Sequence, residues 1–370
     1  MARKRRIVFF APQFAEISTR LAEALSARAD VLLILDGRQR RAQVDPNWFR
    51  SATANLKVIE FRADRRPWRL LWTPILLMAG TLFRPDIVHL QEQADAITAR
   101  LARYFRARAP VVATVHDAEP HIGSDARFLE AEGKPFREMI RADAALFHVQ
   151  SDFTLARLRS LWPDRPMVRT EHGLMHAPES GQLRASEPGR ILFFGRMEAY
   201  KGLEVLIAAA ERLAAQGRAF KLVLAGRGEE MDRLRARAEQ ASYIEVVSHF
   251  LSCYEVVEQF QRAELVILPY LEASQSGVAA AALANGRPLI ASRIGGLPEI
   301  VQHGLNGLLV EPSDVEGLAS AIDRFLADEA LRRQLTEGAV KSAATLDWNH
   351  VAEALSEAYE RLLADRSKGA

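Results

Sequence analysis

The sequence predicts an α/β protein made of two doubly wound domains, each with its own parallel sheet. The first half alternates short β-rich apolar runs with longer amphipathic segments. At 177–189 this rhythm breaks into Pro, Gly, Ser and polar residues, and after that it resumes. A chain of 370 residues also exceeds what one hydrophobic core usually supports.

In the first half the strand candidates are 7–10, 31–35, 56–61, 86–90, 111–115, 144–149 and 167–170, with a helix expected over 17–27. Continuous apolar runs of this length suit a parallel sheet covered on both faces. In the second half the candidates are 191–194, 221–225, 243–247, 265–268, 288–291 and 307–310, followed by helices over 314–326, 329–343 and from 348 to about 363. The expected organisation is a first domain over 1–178, a linker at 179–189, a second domain over 190–345, and a C-terminal helical segment, 346–370, that returns to the first domain.

Hydrophobic residues make up 49% of the chain and charged ones 26%, the composition of a folded globular protein. A formal net charge of +2 does not suit a protein that coats nucleic acid, and no nucleic-acid partner is expected. The one cysteine, Cys253, excludes an internal disulfide and a thiolate zinc site. The basic start, 1–6, is followed by too short an apolar run for a signal peptide. The longest apolar stretch, 70–83, contains Pro74 and is shorter than the roughly 20 residues that span a bilayer. The expected location is cytoplasmic, with peripheral docking on the inner face of the cell membrane.

In open parallel sheets, ligands bind beyond the carboxyl ends of strands, where loops and helix starts present backbone N–H groups to anions. The strand 191–194 ends in Gly195-Arg196-Met197-Glu198-Ala199-Tyr200-Lys201-Gly202. Arginine grips phosphate oxygens with a planar fork and lysine supplies a point charge, so Arg196 and Lys201 suit a diphosphate. After 265–268 the chain reads Pro269-Tyr270-Leu271-Glu272-Ala273-Ser274-Gln275-Ser276-Gly277-Val278 and enters an Ala-rich helix. Ser276, Gly277 and Val278 would place amides at the positive end of that helix.

These stretches, with Leu224-Ala225-Gly226-Arg227-Gly228, Gly286-Arg287-Pro288, Gly295-Gly296-Leu297-Pro298-Glu299 and Asn306-Gly307, resemble the family-4 retaining glycosyltransferases of GT-B fold. The resemblance covers nearly the whole chain and is strongest in the second half. It implies two Rossmann-like domains facing across a cleft, and a nucleotide-sugar donor held by the second. It also implies Arg196 and Lys201 as catalytic groups that neutralise the diphosphate, with Gly195, Gly226, Glu272, Gln275, Ser276, Gly277, Val278 and Glu299 around the donor. Members normally carry two glutamates here, and the corresponding positions are Ala273 and Ala281. Ribose binding therefore passes to another side chain, such as Glu299 or a residue after Gly226.

His116, at the end of 111–115, matches a histidine that the family points at the donor sugar, so it joins the catalytic set. Gln13, Asp117 and His172 fall on the acceptor side. No trio of His, Asp or Glu has metal-ligand spacing and no Asp-x-Asp signature occurs, so neither metal nor cofactor is expected. The segment 62–83 mixes Arg, Trp and apolar residues, the chemistry of an anionic membrane surface. Transfer to a glycan or lipid-linked glycan, as in polysaccharide biosynthesis, is the implied activity. The alternatives are a non-catalytic nucleotide-sugar binder and a sugar-nucleotide epimerase of the same shape.

Overall fold

The computed structural model describes residues 3–46, 48, 53–62, 71–178 and 181–368. The chain divides into two compact units. The first contains 1–118, 127–173 and 348–370, and the second contains 119–126 and 174–347.

The first unit holds a parallel sheet of β1 (Arg6–Ala11), β2 (Asp30–Asp36), β3 (Leu56–Phe61), β4 (Ile87–Gln91), β5 (Val111–Thr114), β6 (Leu146–Val149) and β7 (Met167–Arg169). Their spatial order is β3-β2-β1-β4-β5-β6-β7. β1 is buried from Ile7 onward, as a central strand covered by helices on both faces requires. The order reverses between β1 and β4, where the connections leave in opposite directions and the loops part.

The second unit repeats the plan with β8 (Arg190–Phe194), β9 (Lys221–Ala225), β10 (Ile244–Val247), β11 (Leu265–Leu268), β12 (Leu289–Ser292) and β13 (Gly307–Val310), in the order β10-β9-β8-β11-β12-β13. Its reversal lies between β8 and β11, which pair in parallel through Leu265 with Ile191 and Val266 with Leu192. The two loops carrying the predicted donor residues therefore leave from adjacent strands.

Every predicted strand is present within two residues of its expected bounds. The division between units differs in three places. The second unit begins at Leu174, because its N–H bonds to Leu346 O (3.0 Å) and Leu174 and Met175 pack on the second core. The final helix, Trp348–Lys368, belongs to the first unit from its first residue: Trp348 lies against Gly173 and its ring is 6.3 Å from that of His172. Residues 119–126, from the middle of the first half, cluster with the second unit.

Candidate functional site

In the second unit, the loops after β8 and β11 are fastened to each other by backbone contacts. Leu271 N donates to Tyr200 O (2.6 Å). Gly202 has φ 67°, and a Cβ there would overlap the carbonyl of Pro269, so the Ala199–Lys201 turn closes on the β11 exit only because residue 202 is glycine. Gly195 and Gly226 have the same relation between the loops after β8 and β9. Gly226 takes φ 148°, and any side chain on it would strike Gly195 O.

This fastening draws Lys201 inward until only 7% of it is exposed. Its Nζ donates to Tyr270 Oη (3.1 Å) and lies 4.9 Å from the centre of that ring. A Cβ on Gly195 would be 3.0 Å from the ammonium and 3.7 Å from Val278 Cγ2, so the charge sits between the β8 loop and the first turn of the Gly277–Ala284 helix. Burial holds the Lys201 pKa below its ordinary value; the Arg196 charge acts in the same direction, against Tyr200 and Glu198. Among the described residues, no carboxylate lies within ion-pair distance of this ammonium. A buried cation without a counter-anion is costly, which marks the place as one for an anion.

Ser276 caps the helix, its Oγ accepting from Ala279 N (3.2 Å), and also bonds Tyr270. Burial raises the Tyr270 pKa, so the phenol stays protonated while Ser276 and the Arg196 charge pull it back. Lys201, Tyr270 and Ser276 thus form one connected group at the helix start. The amides of Gly277 and Val278 are first-turn N–H groups without intrahelical partners. Arg196 is exposed at the rim, and its charge is felt by both Lys201 and Tyr270.

The remaining donor candidates are placed less directly. Gln275 is half-buried next to Ser276. Glu299 is half-buried in the short helix Leu297–Ile300, whose preceding loop is tied to the β11 loop by Gly296 N to Ala273 O (3.2 Å). Among the described residues, no hydrogen bond or ion pair links the Glu299 carboxylate to Lys201 or Ser276. Ala273 and Ala281 are both buried, Ala281 to 1% exposure among core side chains, so neither position offers a polar group.

The Glu272 carboxylate is held by the 119–126 segment, accepting from Ile122 N (3.0 Å) with His121 Nδ1 at 3.4 Å. His121 also stacks on Tyr200 (4.8 Å between ring centres) and reaches Ser274 Oγ through Nε2 (3.3 Å). Ser124 donates from N and Oγ to Glu198 (3.2 and 2.8 Å). Sequence reasoning assigns no role to His121 or Ser124. The only local signal for them is the polar run that continues past His116-Asp117.

In the first unit, His116 follows β5 and is buried. Its Nε2 donates to Gln91 Oε1 (2.8 Å) at the end of β4, and its ring lies tilted against Phe14 (4.1 Å between ring centres). Phe14 takes a left-handed backbone, φ 58°, as the cap of the helix Ala15–Ser26, which brings the loop after β1 onto the histidine. Burial lowers the His116 pKa to about 4; Asp117 opposes the shift and His172 adds to it. The imidazole is neutral at physiological pH.

Gln13 is half-buried in the β1 loop. Asp117 is half-buried, and its carbonyl accepts from Arg141 Nη2 (2.9 Å). His172 is buried and donates from Nδ1 to Gly173 O (2.7 Å), which leaves Nε2 as the unprotonated nitrogen. Burial lowers its pKa, against the Gly173 bond and the Glu16 charge.

The segment 62–83 is described only in part, since 63–70 lies outside the described residues. Over the helix Trp72–Phe83 and the residue before it, Leu71, Ile75, Met78 and Leu82 are exposed at spacings that put them on one face. Among the described residues no helix is long and apolar enough to cross a membrane, and no group of three His, Cys, Asp or Glu is placed to hold a metal ion.

A glycogen synthase of Mycobacterium tuberculosis is 28% identical over 319 residues, covering 81% of this chain and 76% of its own. The sucrose-phosphate synthase of Thermosynechococcus elongatus superposes with a TM-score of 0.73 at 20% identity, over 98% of this chain and all of that one. The Anabaena protein HepE, solved in complex with UDP-glucose, superposes with a TM-score of 0.71 at 19% identity, over 96% of this chain and 99% of its own. These structures share the GT-B arrangement of two Rossmann-like units. The family model for Glycosyltransferase Family 4 matches residues 17–160 and that for Glycosyl transferases group 1 matches 179–342. The two matches account for most of the chain, which belongs to the glycosyltransferases of this group.

Proposed function

We propose that this protein is a retaining, metal-independent glycosyltransferase that moves a sugar from a nucleotide-diphosphate sugar to a hydroxyl of a glycan or lipid-linked glycan acceptor. The observation that carries this reading is the buried Lys201 ammonium, with no carboxylate beside it among the described residues and a capped helix start against it. A diphosphate supplies two oxyanions for that charge and for the Gly277 and Val278 amides, with Arg196 closing from the rim.

In the reaction, the bond between the sugar C1 and the phosphate oxygen breaks and the electron pair leaves on the nucleotide diphosphate. The acceptor oxygen bonds to C1 on the same face, and its proton passes to the departing phosphate. Lys201, Arg196 and the helix amides stabilise the charge that develops on the leaving group, so positive side chains take the place of a metal. His116, kept neutral by burial and with its proton on the Nε2 that faces Gln91, meets the sugar as a hydrogen-bond acceptor. The exposed face of Leu71, Ile75, Met78 and Leu82 supports docking on an anionic membrane from the cytoplasmic side, where a lipid-linked acceptor resides.

The test is release of nucleoside diphosphate from a panel of UDP-, GDP- and ADP-sugars. One of them is expected to be turned over, and Lys201→Ala to lower that turnover by roughly a hundredfold or more. The buried methyl groups at Ala273 and Ala281 favour one second reading, a non-catalytic binder. It predicts nucleotide binding with no release from any donor.

A further inference from the structure

The carboxyl end of the first unit's sheet carries two sets of polar side chains, an inner and an outer rank. The inner rank is His89 on β4, Thr114 on β5, His148 on β6 and Thr170 after β7. Two residues further along in each case stands an outer rank, with Gln91 closing β4 and His116, Gln150 and His172 just past the ends of β5, β6 and β7. Both ranks are buried.

The inner rank is saturated. Thr170 Oγ1 donates to Glu171 O (3.1 Å) and accepts from His148 Nε2 (2.8 Å). His148 Nδ1 accepts from Thr114 Oγ1 (2.9 Å), which accepts from His89 Nε2 (2.6 Å), and His89 Nδ1 accepts from Tyr359 Oη (2.6 Å). Every hydroxyl and ring nitrogen in it has a partner.

The outer rank is not saturated. Its internal bond is His116 Nε2 to Gln91 Oε1, while Gln91 Nε2, Gln150 Oε1 and His172 Nε2 are buried with no hydrogen-bond partner among the described residues. Three such atoms in one rank, next to a rank that has none, mark recognition rather than packing, because each orphan costs stability. Their chemistry is specific: one N–H donor and two acceptors, all on uncharged groups. Phosphate and carboxylate present only acceptors to such a set. The two acceptor atoms would oppose them, and so would the buried Glu16 carboxylate, whose charge reaches His172. A sugar hydroxyl donates and accepts at once.

We propose that Gln91, Gln150 and His172 read hydroxyl groups of an uncharged acceptor sugar ring at the carboxyl end of the first sheet. This rests on the transferase reading and adds to it that the acceptor enters here with hydroxyls rather than with a phosphate or carboxylate. The test is direct binding without donor, by saturation-transfer NMR and calorimetry. Methyl glycosides of glucose, galactose, mannose and N-acetylglucosamine serve as probes, with inorganic phosphate as competitor.

At least one glycoside is expected to bind, inorganic phosphate not to displace it, and Gln91→Met and Gln150→Met each to weaken it tenfold or more. UDP, GDP or ADP affinity measured on the same preparations reports an intact fold and an intact donor site, so failure of this proposal is separable from failure of the transferase reading. If no glycoside binds the wild type, if phosphate displaces the bound one, or if both variants bind within twofold of wild type, the proposal is overturned. It is also overturned if the variants change only the affinity for a nucleotide sugar relative to its nucleotide, since the rank would then be reading the donor.

Discussion

Tyr359 Oη lies 2.6 Å from His89 Nδ1, a buried hydrogen bond between residues 270 positions apart in the chain. It joins the final helix to the centre of the first sheet, and it orients the whole inner rank. Thr170 spends its proton on a carbonyl, so each donor in the chain back to Tyr359 has only one direction open.

Tyr359→Phe removes the first donor and leaves His89 Nδ1 buried and unpaired. The expected cost is about 1–3 kcal/mol, seen as a thermal midpoint lower by several degrees with nucleotide affinity retained. A midpoint unchanged from wild type would mean that the hydrogen bond contributes nothing to holding the helix.

Four buried histidines in the first unit have pKa values below the free imidazole, His89 at about 3 and His116 at about 4, with burial the first cause in each. A group with a depressed folded pKa binds fewer protons folded than unfolded. Its contribution is therefore complete above the unfolded value of about 6.5 and declines as pH falls towards the folded values. The thermal midpoint should drop steadily from pH 7 to pH 4, and His148→Gln should flatten that slope. A midpoint independent of pH across this window would contradict the assignment of neutral buried imidazoles.

Gly202→Ala tests whether the backbone positions Lys201. The left-handed φ of 67° and the overlap with Pro269 O leave no room for a methyl group, so the Ala199–Lys201 turn must move. Expected are a loss of about 1–3 kcal/mol in stability and at least a tenfold fall in nucleoside diphosphate affinity, read by calorimetry. Wild-type affinity in this variant would show that the ammonium does not depend on the turn.

Restoring the missing second carboxylate should fail. Ala281 is 1% exposed within the second core, and Ala281→Glu would bury an unpaired carboxylate there. The variant is expected to lose several kcal/mol of stability, as unpaired buried charges do, without tighter nucleotide binding, measured by denaturant unfolding and calorimetry. A stable variant with improved affinity would mean that this helix face opens to the ribose.

Most strands were legible because they are largely apolar runs of four to seven residues between polar turns, and the loops after β8 and β11 stood out because their glycines and polar residues directly follow such runs. Three features were not legible, because tertiary contacts alone create them. The 119–126 segment clusters with the second unit through Glu198 and Glu272, which lie far away in sequence. The boundary at Leu174 depends on a bond to Leu346. His89, Thr114, His148 and Thr170 look like scattered polar residues at the ends of apolar strands, and only their side-chain hydrogen bonds across the strands connect them.

Whether the donor diphosphate is the counter-charge for Lys201 is tested most directly by calorimetry. The affinity of the preferred nucleoside diphosphate is compared with that of its parent nucleoside, in wild type and in Lys201→Met. The diphosphate is expected to bind at least a hundredfold more tightly than the nucleoside to the wild type, and most of this advantage to disappear in Lys201→Met while nucleoside affinity is unchanged. Equal loss for both ligands, or no loss for either, would contradict the proposed donor site.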